Sequence, residues 1–472
     1  MKETILLLNP PGKEKYIRDY YCSHISKARY YWAPYDLFVF AGQLREEYEI
    51  VFLDAILERF SFEQTVDFIK KQFPIKALLF LSGGVSWSND NVFFQYFLES
   101  CTEEKDFLII GNGDLFLTDG KKIMQKTSWL DALVMNFAHN DLADFLQGRR
   151  ETLKNIMFRD EDGNIHDHIA PKDKTFSYSP PPYEQLPYAR YRLPHSINSV
   201  YAGFLTTYGC PFRCDFCLGG KLPFMTRPMD NIRQELDLLQ EIGIKELWIK
   251  DLTFGVPGEH ARELCGLLQD YSFQWICLSR ADVLNEKLLK MMRDAGCHTI
   301  QLGIESGSEE LLKAHRKDID LNQIREVFAL CKKYSIRTLA HFILGLPGET
   351  EESLRKTRNF VLELDPDIAS FNIVAPRIGT DLRQEALDKG WVTDLESDID
   401  NSISFPMIQT PDIEGEKVWK WRNKCIRDFY LRPRYIWKRI SRLRSFYEFQ
   451  TLFYEGFDYL KSTIRQPMRG GK

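Results

Sequence analysis

The sequence predicts an α/β chain: a Rossmann-like open parallel sheet at the N-terminus, a partial (βα)6 TIM-like barrel after it, and a C-terminal helical extension. Three observations carry this. Short apolar runs alternate with helix-length segments from residue 4, with glycine turns after consecutive runs; from about Val200 the alternation resumes in longer units; beyond residue 391 it stops. At roughly 150 residues per domain, a chain of 472 residues holds two or three. The boundaries read as 1–150 for the sheet domain, 151–196 for a linker, 197–390 for the barrel and 391–472 for the helical region.

In order, residues 4–8 form a buried strand stopped by Asn9-Pro10-Pro11-Gly12, and a second strand spans 48–54. A helix over 62–73 and a strand over 77–81 lead into the turn Ser82-Gly83-Gly84. A helix over 90–100 and a strand over 107–110 lead into Gly111-Asn112-Gly113-Asp114. Such a sheet takes its ligand beyond the carboxyl ends of its strands, although each glycine turn also reads as a plain turn. Residues 155–200 contain the turn Asp160–Gly163 and the prolines 180–182, 187 and 194, so they read as a connector. A strand up to Thr207 opens the barrel, and a helix follows over 231–242, capped by Asn231. Further strands are expected at 246–250, 273–278, 299–304, 336–344 and 367–374, with chemistry at their C-terminal ends.

Apolar content of 44% and aromatic content of 13% mark a globular protein, and a net charge of −5 gives no case for nucleic acid as a partner. Seven of the ten cysteines are scattered without disulfide spacing, which points to a reducing compartment and a cytoplasmic location. The four-residue apolar run ending at Leu8 reads as neither a signal peptide nor a membrane span.

The remaining three cysteines, Cys210, Cys214 and Cys217, stand in a C-x3-C-x2-C spacing within Tyr208-Gly-Cys-Pro-Phe-Arg-Cys-Asp-Phe-Cys. Three thiolates on one loop can hold three corners of a cubane iron–sulfur cluster and leave the fourth iron open for chemistry. The alternative is structural zinc, which is normally closed by four ligands in paired spacings; no second pair follows here.

This loop, with Phe216 before the last cysteine, resembles the radical S-adenosylmethionine superfamily. Leu302-Gly-Ile-Glu-Ser-Gly307, Gly345-Leu-Pro-Gly-Glu-Thr350 and Pro376-Arg-Ile-Gly-Thr380-x-Leu382 are similar to segments of the branch with an N-terminal cobalamin-binding domain, as are Leu8-Asn9-Pro10-Pro11 and Phe429-Tyr-Leu-Arg-Pro433. The resemblance implies a [4Fe-4S] cluster on Cys210, Cys214 and Cys217, with S-adenosylmethionine on the open iron and cleaved to an adenosyl radical. For binding the cosubstrate it points to Glu305 and Lys317, with Asp251, Arg280 and the Gly345 turn of the same standing. It also implies cobalamin, with its nucleotide tail among Asn9, Pro10, Ser82, Gly83, Gly111 and Gly113. The Asp-x-His-x-x-Gly signature, whose histidine ligates cobalt, is absent; Asn136-Phe-Ala-His139-Asn-Asp stands where relatives carry a Gly-Glu-Gly-Glu type turn.

The activity this implies is methyl transfer to an unactivated carbon of a small-molecule, lipid or tetrapyrrole substrate, with a reducing donor such as flavodoxin or ferredoxin. Two other functions remain: a radical cyclase or oxidoreductase without methyl transfer, and a non-catalytic iron–sulfur or corrinoid carrier. Eleven Lys/Arg against one acidic residue lie between Lys417 and Arg444, interleaved with aromatics. They read either as a helical cap whose aromatics pack on the barrel or as a basic surface for peripheral contact with anionic lipid or substrate.

Overall fold

The computed structural model describes residues 2–26, 30–101, 106–169, 173–392, 408, 410–441, 443, 447, 449 and 450. The first sheet contains β1 (Thr4–Asn9), β2 (Glu49–Asp54), β3 (Ala77–Leu81), β4 (Leu108–Asn112), β5 (Ala132–Val134), β6 (Asn155–Arg159) and β7 (Ile165–Ile169) in the order β2-β1-β3-β4-β5-β6-β7. The first five are parallel and the last two antiparallel. Every residue of β3 is buried, the pattern of a strand covered on both faces. Alternation divides β1 between two cores. Leu6 and Leu8 pack with Phe93, Phe94 and Phe97 from the helix Trp87–Ser100, whereas Ile5 and Leu7 join a core that continues into the second sheet. The order reverses at β1, so the loops after β1 and β3 flank a topological switch point.

The hairpin of β6 and β7 lies in the stretch read from sequence as a connector; the turn Asp160–Gly163 joins two strands that extend the first sheet to Ile169. The helix expected over 62–73 ends at Lys70, ahead of Phe73-Pro74, because a residue before proline is forced out of the helical region. Asn231 is not a cap. The helix Met229–Glu241 starts after Pro228, and the Asn231 Oδ1 instead accepts from Arg227 Nε at 2.7 Å.

The second sheet is a six-stranded open barrel of β8 (Ala202–Phe204), β9 (Glu246–Phe254), β10 (Gln274–Ser279), β11 (Cys297–Glu305), β12 (Arg337–Leu344) and β13 (Ile368–Ile373), all parallel and in sequence order. Helix Gly415–Tyr430 covers the free edge of β13. The Tyr430 hydroxyl donates to the Ala369 carbonyl at 2.7 Å and accepts from the Ala369 N–H at 3.3 Å, while Arg422 Nε donates to the Phe371 carbonyl at 3.0 Å. Phe429, Tyr430 and Tyr435 of the basic tail thus pack on the barrel. No helix among the described residues is long and apolar enough to cross a membrane.

Between the sheets sits a small hairpin, Tyr16–Ile17 with His24–Ile25. Its Asp19 accepts from Lys250 Nζ of β9 at 2.6 Å, both side chains being buried, and its Tyr20 ring stacks on Tyr208 at 5.2 Å.

Candidate active site

The cysteine loop hangs from a two-residue ribbon in which Thr207–Tyr208 pairs with Met225–Thr226. Gly209 has φ +77°, and an added Cβ would stand 2.3 Å from the Pro223 carbonyl oxygen, so only glycine lets the loop close on itself. Asp251 braces the ribbon from β9: its Oδ1 accepts from the N–H groups of Thr206 at 2.7 Å and Thr207 at 2.9 Å, and its Oδ2 from the Thr206 hydroxyl at 2.5 Å. Within the loop, Cys210 N donates to Gly219 O at 3.1 Å and Cys217 N to Cys214 O at 3.2 Å.

All three thiols line one cavity of about 310 Å³ at the C-terminal ends of the barrel strands. Each sulfur has a neighbour of its own: Gly219 N donates to Cys217 Sγ at 3.3 Å, Thr253 Oγ1 lies 3.4 Å from Cys210 Sγ, and Arg280 Nη1 donates to Cys214 Sγ at 3.5 Å. Burial raises the pKa of Cys214 and pushes that of Cys217 to about 12, so these thiols need a cation to become thiolates.

Opposite them, Lys317 Nζ donates to Glu305 Oε1 at 2.9 Å, and both side chains are buried. A bulge between Gly303 and Glu305 re-aims the end of β11. Glu305, Arg316 and Asp318 all have positive φ, at 63°, 52° and 46°, a clustering of backbone strain on the two segments that hold the pair. Arg280 is fixed on three sides: it forks onto Asp282 at 3.0 and 2.8 Å, donates to the Lys317 carbonyl at 2.6 Å, and lies 3.8 Å over the Phe212 ring. Burial works against its charge, but the fork to Asp282 outweighs it and the pKa is raised. Behind the loop, His315 Nδ1 meets Asp215 Oδ2 at 2.9 Å and its Nε2 lies 2.9 Å from the Pro347 carbonyl oxygen. This bond ties the residue after Cys214 to the barrel.

Of the residues expected to bind a cosubstrate, Glu305, Lys317 and Arg280 line the cavity with the cysteines. Asp251 and Gly345 do not. Asp251 is consumed by the brace, and Gly345 packs toward Val418 of the tail helix while its N–H donates to buried Glu349 at 3.1 Å. The loops of the first sheet do meet at the switch point, but the chain itself saturates them. Buried Arg18 pairs with Asp90 at 2.5 Å and donates to Asn9 Oδ1 at 2.8 Å and Pro10 O at 3.1 Å; Ser82 Oγ donates to Asp90 at 2.8 Å. Ser23 N and Oγ donate to Asp114 at 2.6 and 2.9 Å, and a Cβ on Gly83 would meet Ser23 at 2.3 Å. Gly113 lies against the Ser82 carbonyl and Gly111 against Leu133 and Phe116. Between these loops and the barrel, beside Arg377, about 20 Å³ remains.

Sequence reasoning missed Gln301, Gly303 and His341 in the cavity wall, and Tyr21 and Cys22 from the hairpin. The signal for Gln301 and Gly303 was present: with Glu305 they alternate with Leu302 and Ile304, which is how an inward polar face reads on a barrel strand.

Residues 204–361 match the family model of the Radical SAM superfamily. Over 430 residues, covering 88% of this chain and 91% of its relative, the sequence is 28% identical to an uncharacterized methyltransferase of Pyrococcus horikoshii. It is 27% identical to an anaerobic magnesium-protoporphyrin IX monomethyl ester cyclase of Rubrivivax gelatinosus, over 58% of this chain and 52% of that one. The fold matches that of TsrM, a radical S-adenosylmethionine methyltransferase of Kitasatospora setae solved with cobalamin and a [4Fe-4S] cluster, at a TM-score of 0.64 and 17% identity over 87% of this chain and 83% of that one. With the three cysteines on a cavity at the mouth of a parallel barrel and the family model spanning that barrel, residues 204–361 of this chain form a domain of the radical S-adenosylmethionine superfamily.

Proposed function

We propose that this enzyme is a cobalamin-dependent radical S-adenosylmethionine methyltransferase of the cytoplasm, acting on an unactivated carbon of a small-molecule, lipid or tetrapyrrole substrate. The observation that carries the radical part is the cavity itself, where three thiols face the Glu305–Lys317 pair. These residues fit the groups concerned: Cys210, Cys214 and Cys217 would hold three irons of a [4Fe-4S] cluster, and the carboxylate and ammonium opposite complement the ammonium and carboxylate of an amino-acid moiety. Bound together, the cluster and S-adenosylmethionine supply a one-electron cleavage that gives a 5′-deoxyadenosyl radical. Glu305 accepts hydrogen bonds from the cosubstrate and Lys317 donates them. Arg280 keeps a fixed positive charge beside the Cys214 sulfur, tuning it from outside the ligand set. Leu252, Leu278, Ile343 and Ile373 on the walls exclude water. The electron comes from a reducing donor such as flavodoxin or ferredoxin.

Methyl transfer through cobalamin is supported by the whole-length similarity to the Pyrococcus methyltransferase and by the fold shared with TsrM. The loops as they stand do not fit a corrinoid, since Arg18 and Ser23 occupy them; one seats there only with the hairpin of residues 16–25 displaced. A second reading, radical cyclisation, is favoured by the similarity to the magnesium-protoporphyrin cyclase. Anaerobic reconstitution with iron, sulfide and hydroxocobalamin, followed by desalting, an optical spectrum and turnover with reductant, separates them. Retained corrinoid with both 5′-deoxyadenosine and S-adenosylhomocysteine supports methyl transfer. Formation of 5′-deoxyadenosine alone favours the cyclase reading, and a protein that never cleaves S-adenosylmethionine ends both.

A further inference from the structure

Among the described residues, the helix Pro433–Ser441 is held to the barrel floor on one side. Buried Tyr435 donates from its hydroxyl to the Asp367 carbonyl at 3.1 Å, and Lys438 Nζ donates to the Asp365 carbonyl at 3.0 Å. On the other side Ile436 is 45%, Trp437 74% and Ile440 54% exposed, and Leu431 just before the helix is 55% exposed. Single exposed apolar residues are ordinary, but four within ten positions, three on one stripe, form a patch. Tryptophan, with an apolar body and a polar N–H, is the residue type suited to the boundary between headgroups and hydrocarbon.

The charge around this patch is positive. Lys424 and Arg427, the latter also 3.5 Å from Asp428, lie on the exposed side of Gly415–Tyr430 toward its C-terminal end, and Arg434 and Arg439 flank the stripe; Lys417 and Lys420, paired with Glu351 and Glu416, lie at the other end of that helix. Lys424, Arg434 and Arg439 make no ion pair among the described residues. A cavity of about 560 Å³ beside the helix adds Lys332, Arg337 and Arg432 to the basic side, against Glu363, Asp365 and Asp367. A second copy of the chain on this face would set basic rows against each other, and four side chains fall short of the roughly 800 Å² per partner of a stable protein interface. An anionic lipid surface meets both features.

We infer that this face docks the enzyme on an anionic bilayer, with Leu431, Ile436, Trp437 and Ile440 entering the headgroup boundary and the basic residues binding the headgroups. The docking face lies at the N-terminal ends of the barrel strands, where Asp367 precedes β13. The catalytic cavity lies at the other end of those strands, roughly 20 Å away for six extended residues. Docking and chemistry therefore separate in experiment.

The test is flotation of the full-length protein with vesicles of phosphatidylcholine alone or mixed with phosphatidylglycerol. The wild type should float with the mixed vesicles, stay behind with phosphatidylcholine, and be released by salt. Trp437→Asp with Ile440→Asp should lower the bound fraction roughly tenfold, and Lys424→Glu with Arg434→Glu should lower it too. Both variants should form 5′-deoxyadenosine in solution at the wild-type rate. Equal binding to the two vesicle types, no binding to either, or unchanged binding by both variants overturns the inference. So does gel filtration showing a wild-type oligomer that the variants split, since the patch would then be a self-interface.

Discussion

Replacing Gly303 by alanine tests the assignment of the Glu305–Lys317 pair with one methyl group. The added Cβ would lie 2.4 Å from Glu305 Oε1 and 2.8 Å from Lys317 Nζ. Ordinary contact needs roughly 3.5 Å, so the carboxylate must retreat by about 1 Å. Both atoms end flexible side chains, so the backbone stays put, but the 2.9 Å bond between them is lost or redirected. A charge-assisted hydrogen bond is worth about 1.5–3 kcal/mol, which converts to a ten- to roughly hundredfold weaker affinity for S-adenosylmethionine. Calorimetric titration of the cluster-loaded variant measures this. Gly266→Ala serves as control, since nothing lies within 4 Å of its Cβ and it sits in the helix Gly258–Leu268; it should stabilise by about 0.5–1 kcal/mol and leave affinity alone. If Gly303→Ala binds the cosubstrate within twofold of wild type, the pair does not contact it and the assignment fails.

Other parts of the site respond to their own perturbations. Burial raises Glu349 from 4.5 to about 7, so the folded chain holds a proton there that the unfolded chain releases. The sign makes stability fall as pH rises from about 4.5 to 7, by up to about 3 kcal/mol, and Glu349→Gln should gain on wild type in melting experiments as pH rises through that window; a gap that is flat with pH contradicts this. Lys250→Met leaves Asp19 buried without its partner and should cost about 3–5 kcal/mol in denaturant unfolding, with Lys250→Met/Asp19→Leu recovering most of it; a single-variant loss below about 1 kcal/mol would show the pair is solvated. Cys22→Ala should keep the visible absorbance of the reconstituted cluster while Cys217→Ala loses it, and loss in both would make Cys22 a fourth ligand. Amide exchange over residues 14–26 should be slow in the corrinoid-free protein and quicken when hydroxocobalamin is added, if a corrinoid takes the place of Arg18 and Ser23.

Most strands were legible because they are near-continuous apolar runs, and the cysteine loop because its spacing is local. What escaped was mostly made by pairs distant in the chain. Asp251 looked like a ligand at a strand end, and only the fold shows Thr206 and Thr207 already claiming its oxygens. Arg18 follows Lys13 and Lys15 with no local signal for burial; its burial depends on Asp90, seventy-two residues on. The hairpin of β6 and β7 was hidden by short runs whose outer residues, His166 and His168, carry no apolar signal. Gly303 could have been found, because the alternation along β11 puts it on the same face as Glu305.

The helix along β13 has a consequence for how this molecule could be taken apart. A strand edge left open is a template for other chains, and here two side chains of the tail, Tyr430 and Arg422, close the edge at β13. A fragment ending near residue 390 would keep Cys210, Cys214, Cys217, Glu305 and Lys317, yet expose that edge beside Phe371 and invite β-stacking into insoluble aggregates. The segment that lines no part of the catalytic cavity thus covers an edge the catalytic barrel would otherwise expose, and dissection of this enzyme into expressible pieces should cut after the helix, never before it.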